Sequence, residues 1–353
     1  MICALVMAIL ERKSVKFTEL AEELNGEVKD ESNLRRIQSF FANFDFEYYA
    51  FSRLMLSFVP HLRLDLSIDR SNWQFGEVDF NVLTLTVGYK GIGLPIVFDM
   101  LDKKGNSDQE ERKELLDKFL DLFGSKRINS LCADREFVGD KWFKYLIDNQ
   151  IPFYIRLKKS ARIDLSGILY RVDTLCEICQ KRKQKVIRNV QINGMGGLLI
   201  GLKKLPAGNK NKDSQEDYLA VITNQTDKKP LQEYRKRWSI EVFFQSIKKR
   251  GVDIEQTHLT DPERLKKLFA LVSLAFALCL YVGIKHDERV KTIEVKNHGY
   301  KQNSFFKVGL RKINKAIKAL KTDFSALKTI FQDIFDHLFK IASTLNLFEK
   351  IIT

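Results

Sequence analysis

HLRLDLSIDR, residues 61–70, is where the chain changes period. Leu62, Leu64, Leu66 and Ile68 alternate with Arg63, Asp65, Ser67 and Asp69, the two-residue rhythm of a strand with one buried face. Two further strand-like runs follow: EVDFNVLTLTVGY, a turn at Lys90 and Gly91, then LPIVFDML. Consecutive runs joined by so short a turn read as hairpins. SDQEERKELLDKFLDLFG then returns to helical spacing, with Ser107 as the expected N-cap and Leu115, Leu116, Phe119 and Leu122 on one side. RINSLCADREF reads as a fourth strand, VGDKWFKYLIDN as a helix and IPFYIRL as a fifth strand. The order βββαβαβ predicts a mixed sheet flanked by helices, in the α/β class.

Working outward, residues 1–58 read as helices (VKFTELAEEL, ESNLRRIQSFFANF). They form either a subdomain that packs on the rest or a DNA-binding region. The first part of the sheet domain covers 59–158. Residues 159–215 carry short β-prone pieces, GILYRVD, KVIRNVQI and GLLIGLKKL, and a polar run, GNKNKDSQED, expected as an exposed loop. This predicts a β-rich insertion. DYLAVITN resumes the sheet, so 216–285 is its second part, and 286–353 is a basic helical region containing LRKINKAIKALK.

With 353 residues, 44% of them hydrophobic, the chain can bury a substantial core. Lys and Arg number 59 against 45 Asp and Glu, a net charge of +14 that favours a polyanionic partner, nucleic acid before anionic membrane. Five cysteines, few and odd in number, fit a reducing cytoplasm and no disulfide framework. MICALVMAIL lacks a basic leader before it and reads as a core helix. The apolar run from Leu268 to Ile284 is at the short edge of a membrane span and directly follows a charged amphipathic segment, so it is expected as a buried helix, with no membrane partner.

Three carboxylates stand where this layout could use them. Asp69 ends the first strand, Asp134 ends the fourth, and Glu241 lies on a helix after the insertion, in YRKRWSIEVFFQSIKK (234–249). Acids from separate strands and a covering helix can converge at one sheet edge, and hard oxygen donors without histidine or cysteine suit Mg²⁺ or Mn²⁺. A pair of such ions can activate a hydroxyl and stabilise the leaving oxygen of a phosphodiester. On one continuous helix, at about 100° per residue, Tyr234, Arg237, Glu241 and Lys248 would share a narrow stripe. Trp238, Val242 and Ile247 would lie off it and supply the packing.

DRSNW, ADREF and the spacing Tyr-x2-Arg-x3-Glu-x6-Lys, in that order, resemble the bacterial insertion-sequence transposases of the DDE class, in the branch of the insertion-sequence family numbered four. That resemblance implies an RNase H-like core and Asp69, Asp134 and Glu241 as catalytic ligands for two Mg²⁺ or Mn²⁺ ions. It also implies that Tyr234, Arg237 and Lys248 contact transposon-end DNA. The implied activity is cut-and-paste transposition: hydrolysis at the element end, hairpin formation, and attack of the reopened end on target double-stranded DNA, with a homodimer assembled on the DNA. The alternative is a catalytically inactive, transposase-derived DNA-binding protein. Ser71 stands where the family usually has Thr, the insertion has no Trp and only Tyr170 as an aromatic, and the N-terminus is expected to lack a leading helix of fuller members.

Other acids and thiols read as structural. Asp65 shares a strand face with Asp69 but lies about 13 Å from it at 3.3 Å per residue. Asp140 suits a helix N-terminus. Cys176 and Cys179 form a CxxC without a second pair, and the five histidines are scattered.

Overall fold

The structure is a computed structural model that describes residues 1–24, 26–179, 183–205, 218–226, 229–248, 251–297 and 299–320. The chain forms two compact units. One comprises Met1–Pro60, Trp73–Val78 and Phe244–Thr353, the other His61–Asn72 and Asp79–Phe243.

The first unit is helical. It holds α1 (Ile2–Arg12), α2 (Phe17–Ala21), α3 (Asp30–Asn43), α4 (Tyr48–Ser57), α10 (Pro262–Arg289) and α11 (Phe305–Leu320). The 28-residue α10 contains the apolar run, and its most apolar window is 72% buried. It packs against α1, α3, α4 and α11, so its hydrophobicity is spent on core. Lys267 Nζ donates to the Phe41 carbonyl at 3.0 Å and ties α10 to the end of α3. Residues 321–353, part of the expected basic helical region, lie outside the described residues.

The second unit is built on β1 (Leu64–Phe75), β2 (Val78–Tyr89), β3 (Ile92–Met100), β4 (Ile128–Ala133), β5 (Phe153–Arg156), β6 (Arg162–Leu165), β7 (Ile168–Arg171), β8 (Gln184–Ile192), β9 (Met195–Lys204) and β10 (Tyr218–Thr223), the β1–β2 tip excepted. Among the described residues these make one ten-stranded sheet, ordered β3-β2-β1-β4-β5-β10-β9-β8-β6-β7. β2 and β3 are antiparallel, joined through Lys90 and Gly91, both at positive φ as a tight hairpin turn requires. β4 runs parallel to β1, and β5 parallel to β4. Strands paired this way need crossovers, supplied by α5 (Gln109–Phe123) and α6 (Asp140–Asp148). The mixed sheet with flanking helices and helical ends agrees with the RNase H-like α/β expectation.

Several details differ from the sequence reading. What the sequence reading left open is how the strands of 159–215 pair: β9 pairs with β10 and so extends the core sheet directly. VDTLCE is a short helix, α7 (Val172–Glu177), in a stretch expected to be β-rich. The N-cap of α5 is Asp108, which forms a capping box with Glu111. Ser107 instead accepts from the buried Arg112 at 2.9 Å. The polar run at 208–217 lies outside the described residues.

The segment carrying Tyr234 to Lys248 is broken: α8 (Pro230–Tyr234), a 3₁₀ turn over Arg235–Arg237, then α9 (Trp238–Ile247). A 3₁₀ turn advances about 120° per residue instead of 100°, so the stripe calculated for one continuous helix rotates. Tyr234 turns inward and is 7% exposed, whereas Trp238, expected to pack, is 56% exposed.

Candidate functional site

Strand register builds half of the site. In the parallel pair β1–β4, Ile68 stands opposite Ala133, so the next residues, Asp69 and Asp134, fall side by side where the pairing of the two strands stops; Asp134 follows β4, but β1 runs on to Phe75, so Asp69 does not end its strand as the sequence suggested. That edge is where open α/β sheets bind their ligands. One strand further, Ala133 stands opposite Ile155, which brings Arg156 alongside, its Nη1 4.0 Å from Asp134 Oδ1. Each acid is also fixed by the backbone after it: Arg70 N donates to Asp69 Oδ1 at 2.8 Å, and Arg135 N to Asp134 Oδ1 at 2.7 Å.

The third acid arrives on α9, which lies close against the sheet. Gly88 and Gly93 make this approach possible: a Cβ on Gly93 would sit 2.9 Å from Thr86 Oγ1, 3.0 Å from the Ser239 carbonyl and 3.1 Å from Ile240 Cα. One turn before Glu241, Arg237 reaches both acids. Its Nη1 donates to Asp69 Oδ2 at 3.1 Å, and its Nη2 to Glu241 Oε1. A single guanidinium therefore bridges Asp69 on β1 to Glu241 on α9.

A second set of contacts secures the helical segment beneath. Asp65 Oδ1 accepts from Asn129 Nδ2 at 2.6 Å, Ser130 Oγ at 2.7 Å and Lys236 Nζ at 3.0 Å, and Lys236 also pairs with Glu233 at 2.7 Å. Burial works against the Asp65 carboxylate, but these three donors more than offset it and hold its pKa below the usual range. Asp65 is thus structural, as its distance along the strand suggested. Tyr234 packs in a cluster with Cys132, Tyr154, Val221 and Leu231.

Arg70 was not singled out by the sequence, yet it joins the two acidic motifs. Its guanidinium contacts Glu136 at 3.4 Å, Asn81 at 3.1 Å and Asn106 at 3.1 Å. Because Arg70 follows Asp69 and Glu136 follows Asp134 by two, the pair braces the backbone beside both acids. The only signal for it was a basic and an acidic residue flanking the two motifs.

Burial dominates the electrostatics of the site. Burial, then the neighbouring Asp134 and Glu136, push the Asp69 carboxyl up to about 7, against the pull of Arg237 and the Arg70 amide. For Arg237, burial alone would lower the pKa; Tyr234, Asp69, Asp134 and Glu241 outweigh it and hold the guanidinium above its ordinary value. Burial likewise raises Tyr234 above the normal phenol range.

The donors are hard oxygens, and a crowded carboxyl that resists ionisation, as that of Asp69 does, gains from a divalent cation. Their chemistry fits Mg²⁺ or Mn²⁺. Among the described residues, however, no three acidic, histidine or cysteine side chains yet converge as a ligand set; Arg237 stands between Asp69 and Glu241. Lys248 belongs to the other unit, where its ammonium pairs with Glu255 at 2.8 Å and lies 5.4 Å over the Trp73 ring. Cys176 and Cys179 are free thiols in the buried interior, and burial pushes Cys176 up to about 12.

Compared with known proteins, residues 63–280 match the family described as "Transposase DDE domain". Among solved structures, one similar chain is the piggyBac transposase in a synaptic complex with hairpin DNA. It matches at 12% identity with a TM-score of 0.36, over 78% of this chain and 54% of that one, so this chain spans about half the length of that transposase. A search of curated protein sequences gave no match.

Proposed function

We propose a function from one premise: the chain belongs to the transposase DDE-domain family. On this reading it is a DNA transposase of the insertion-sequence type that cleaves the ends of its element and joins them to target DNA. Asp69, Asp134 and Glu241 would hold two divalent ions, Mg²⁺ or Mn²⁺. Such ions, when bound, activate the attacking hydroxyl and stabilise the leaving oxygen. The observation that carries the reading is the side-by-side placement of Asp69 and Asp134 at the sheet edge, with Glu241 linked to Asp69 through one guanidinium.

The chain's own residues supply the rest. The sheet and the Arg70–Glu136 brace hold Asp69 and Asp134 in fixed positions, which removes part of the ordering cost before a substrate arrives. Arg237 has the forked donors that match phosphate oxygens. Lys248 would add a charge contact to DNA. Tyr234 is buried in the core and would act by packing under Arg237, whose guanidinium lies 5.6 Å over its ring. The charge of +14 suits a long phosphate track, and a homodimer on DNA would bring two element ends together.

The test is cleavage of a duplex carrying the inverted repeats that flank the gene. Incision at the repeat ends is expected with Mg²⁺ or Mn²⁺ and should stop with EDTA. Incision that continued unchanged in EDTA would exclude the metal-dependent mechanism. DNA binding without any incision under either metal would favour the inactive, DNA-binding alternative.

A further inference from the structure

Arg237 provides the acidic site with a cation of its own, on oxygens that metal would need. Its two terminal nitrogens are committed to Asp69 and Glu241, while its Nε has no hydrogen-bond partner among the described residues, nor has the Tyr234 hydroxyl beside it. Both residues are more than nine-tenths buried. A buried donor left unpaired is unfavourable, so the guanidinium holds unused capacity for an oxygen-rich anion.

We infer that Arg237 is a resident counter-cation that competes with divalent metal for Asp69 and Glu241, and that a DNA phosphate, by drawing the guanidinium away, opens these carboxylates to metal. The inference rests on the metal-dependent reading above and adds the order of events. A guanidinium within hydrogen-bond distance of a carboxylate oxygen repels a divalent cation at that same oxygen. Without DNA the arginine neutralises the site and metal binds poorly. With DNA, Arg237 exchanges carboxylate for phosphate through the same forked donors. Linkage is reciprocal, so metal must tighten DNA binding by the factor with which DNA tightens metal. Asp134 lies beside Arg156 rather than in this bridge, and its share in metal binding depends less on the exchange. The consequence is a site that stays closed to metal until DNA occupies it.

The test uses the full chain and Mn²⁺, with free ion followed by electron paramagnetic resonance, with and without a saturating short duplex, and the duplex's own Mn²⁺ binding subtracted. The wild-type chain should bind Mn²⁺ about 10-fold more tightly with duplex present, a coupling of ordinary allosteric size. Arg237→Gln should reach about that affinity without duplex and gain little from adding it. Arg237→Lys keeps the charge but loses the fork, and should fall between the two. If Arg237→Gln melts cooperatively yet binds Mn²⁺ no more tightly than wild type, the inference is overturned. Should that variant not fold, the wild-type comparison decides: Mn²⁺ affinity unaffected by duplex overturns it equally. Adding Asp134→Asn separates the two levels. Mn²⁺ lost with Asp134→Asn but insensitive to Arg237 refutes only the competition, whereas no Mn²⁺ binding in any folded variant removes the metal-dependent reading as well.

Discussion

Asp69 concentrates the chemistry of the site in one side chain. Its carboxyl is pushed up to about 7 by burial first and by Asp134 and Glu136 next, from an ordinary 3.8. Because the folded-state value lies above the unfolded one, the folded protein holds the proton more tightly. Stability from this group is fully present below about pH 4 and is lost as pH rises through 7, by on the order of 4 kcal/mol in the absence of metal. Asp69→Asn cannot ionise and escapes that loss. Urea unfolding of metal-free protein should therefore show the variant gaining on wild type between pH 4 and 7, with a plateau above. A difference that stayed flat across this range would mean that Asp69 is no more reluctant to ionise folded than unfolded. The place of Asp69 on the first strand was legible from alternation and that of Asp134 after the fourth from a short apolar run, but the continuation of β1 past Asp69 to Phe75 was not. The Arg237 bridge was not, because spacing assigns a residue to a face but does not decide whether that face meets phosphate or a carboxylate of the same chain.

At the scale of elements, the position of α9 is set by what the sheet lacks. Gly93 leaves room for the Ser239–Ile240 backbone, and a methyl group there would meet atoms of α9 at 3.0–3.1 Å. Backbone cannot yield as a side-chain tip can. Gly93→Ala should cost about 1–3 kcal/mol, the usual range for overpacking, and should weaken Mn²⁺ binding by moving Glu241 away from Asp69. Calorimetry would check the first and Mn²⁺ titration the second; a variant with wild-type melting temperature and metal affinity would refute this account of the packing. The order of β1 to β5 and their crossover helices could be read from period and turn residues. The 3₁₀ turn at Arg235–Arg237 could not, since nothing in YRKRW marks a change of helical pitch, and that turn reverses the inward and outward roles of Tyr234 and Trp238. The union of the insertion with the core sheet was equally hidden, because alternation within β9 does not name its partner.

On the scale of the whole chain, one unit draws on both ends of the sequence and the other on the middle. In the first, α10 and α11 cross at glycines: a Cβ on Gly309 would lie 1.7 Å from the Cys279 carbonyl oxygen, and one on Gly283 would lie 1.9 Å from that of Phe305. Gly309→Ala should force α11 off α10 and destabilise the chain by at least about 2 kcal/mol, measurable as a lowered urea midpoint; an unchanged midpoint would show that the crossing is loose. The apolar run from Leu268 to Ile284, expected as a buried helix, is the centre of this packing, and the partners that bury it from the other end of the sequence were what the sequence did not name.

The central claim is that the acids of the second unit do chemistry on DNA rather than hold the fold or grip the duplex. Asp134→Asn separates these roles, because it keeps the side chain's size while removing a charge that would ligate metal. The measurement is strand cleavage and duplex affinity side by side, on DNA carrying the element's inverted repeats with Mg²⁺ present. The predicted result is a loss of cleavage of at least roughly 10³-fold with affinity nearly unchanged. Equal loss of cleavage and binding, or cleavage that survives the substitution, would contradict it.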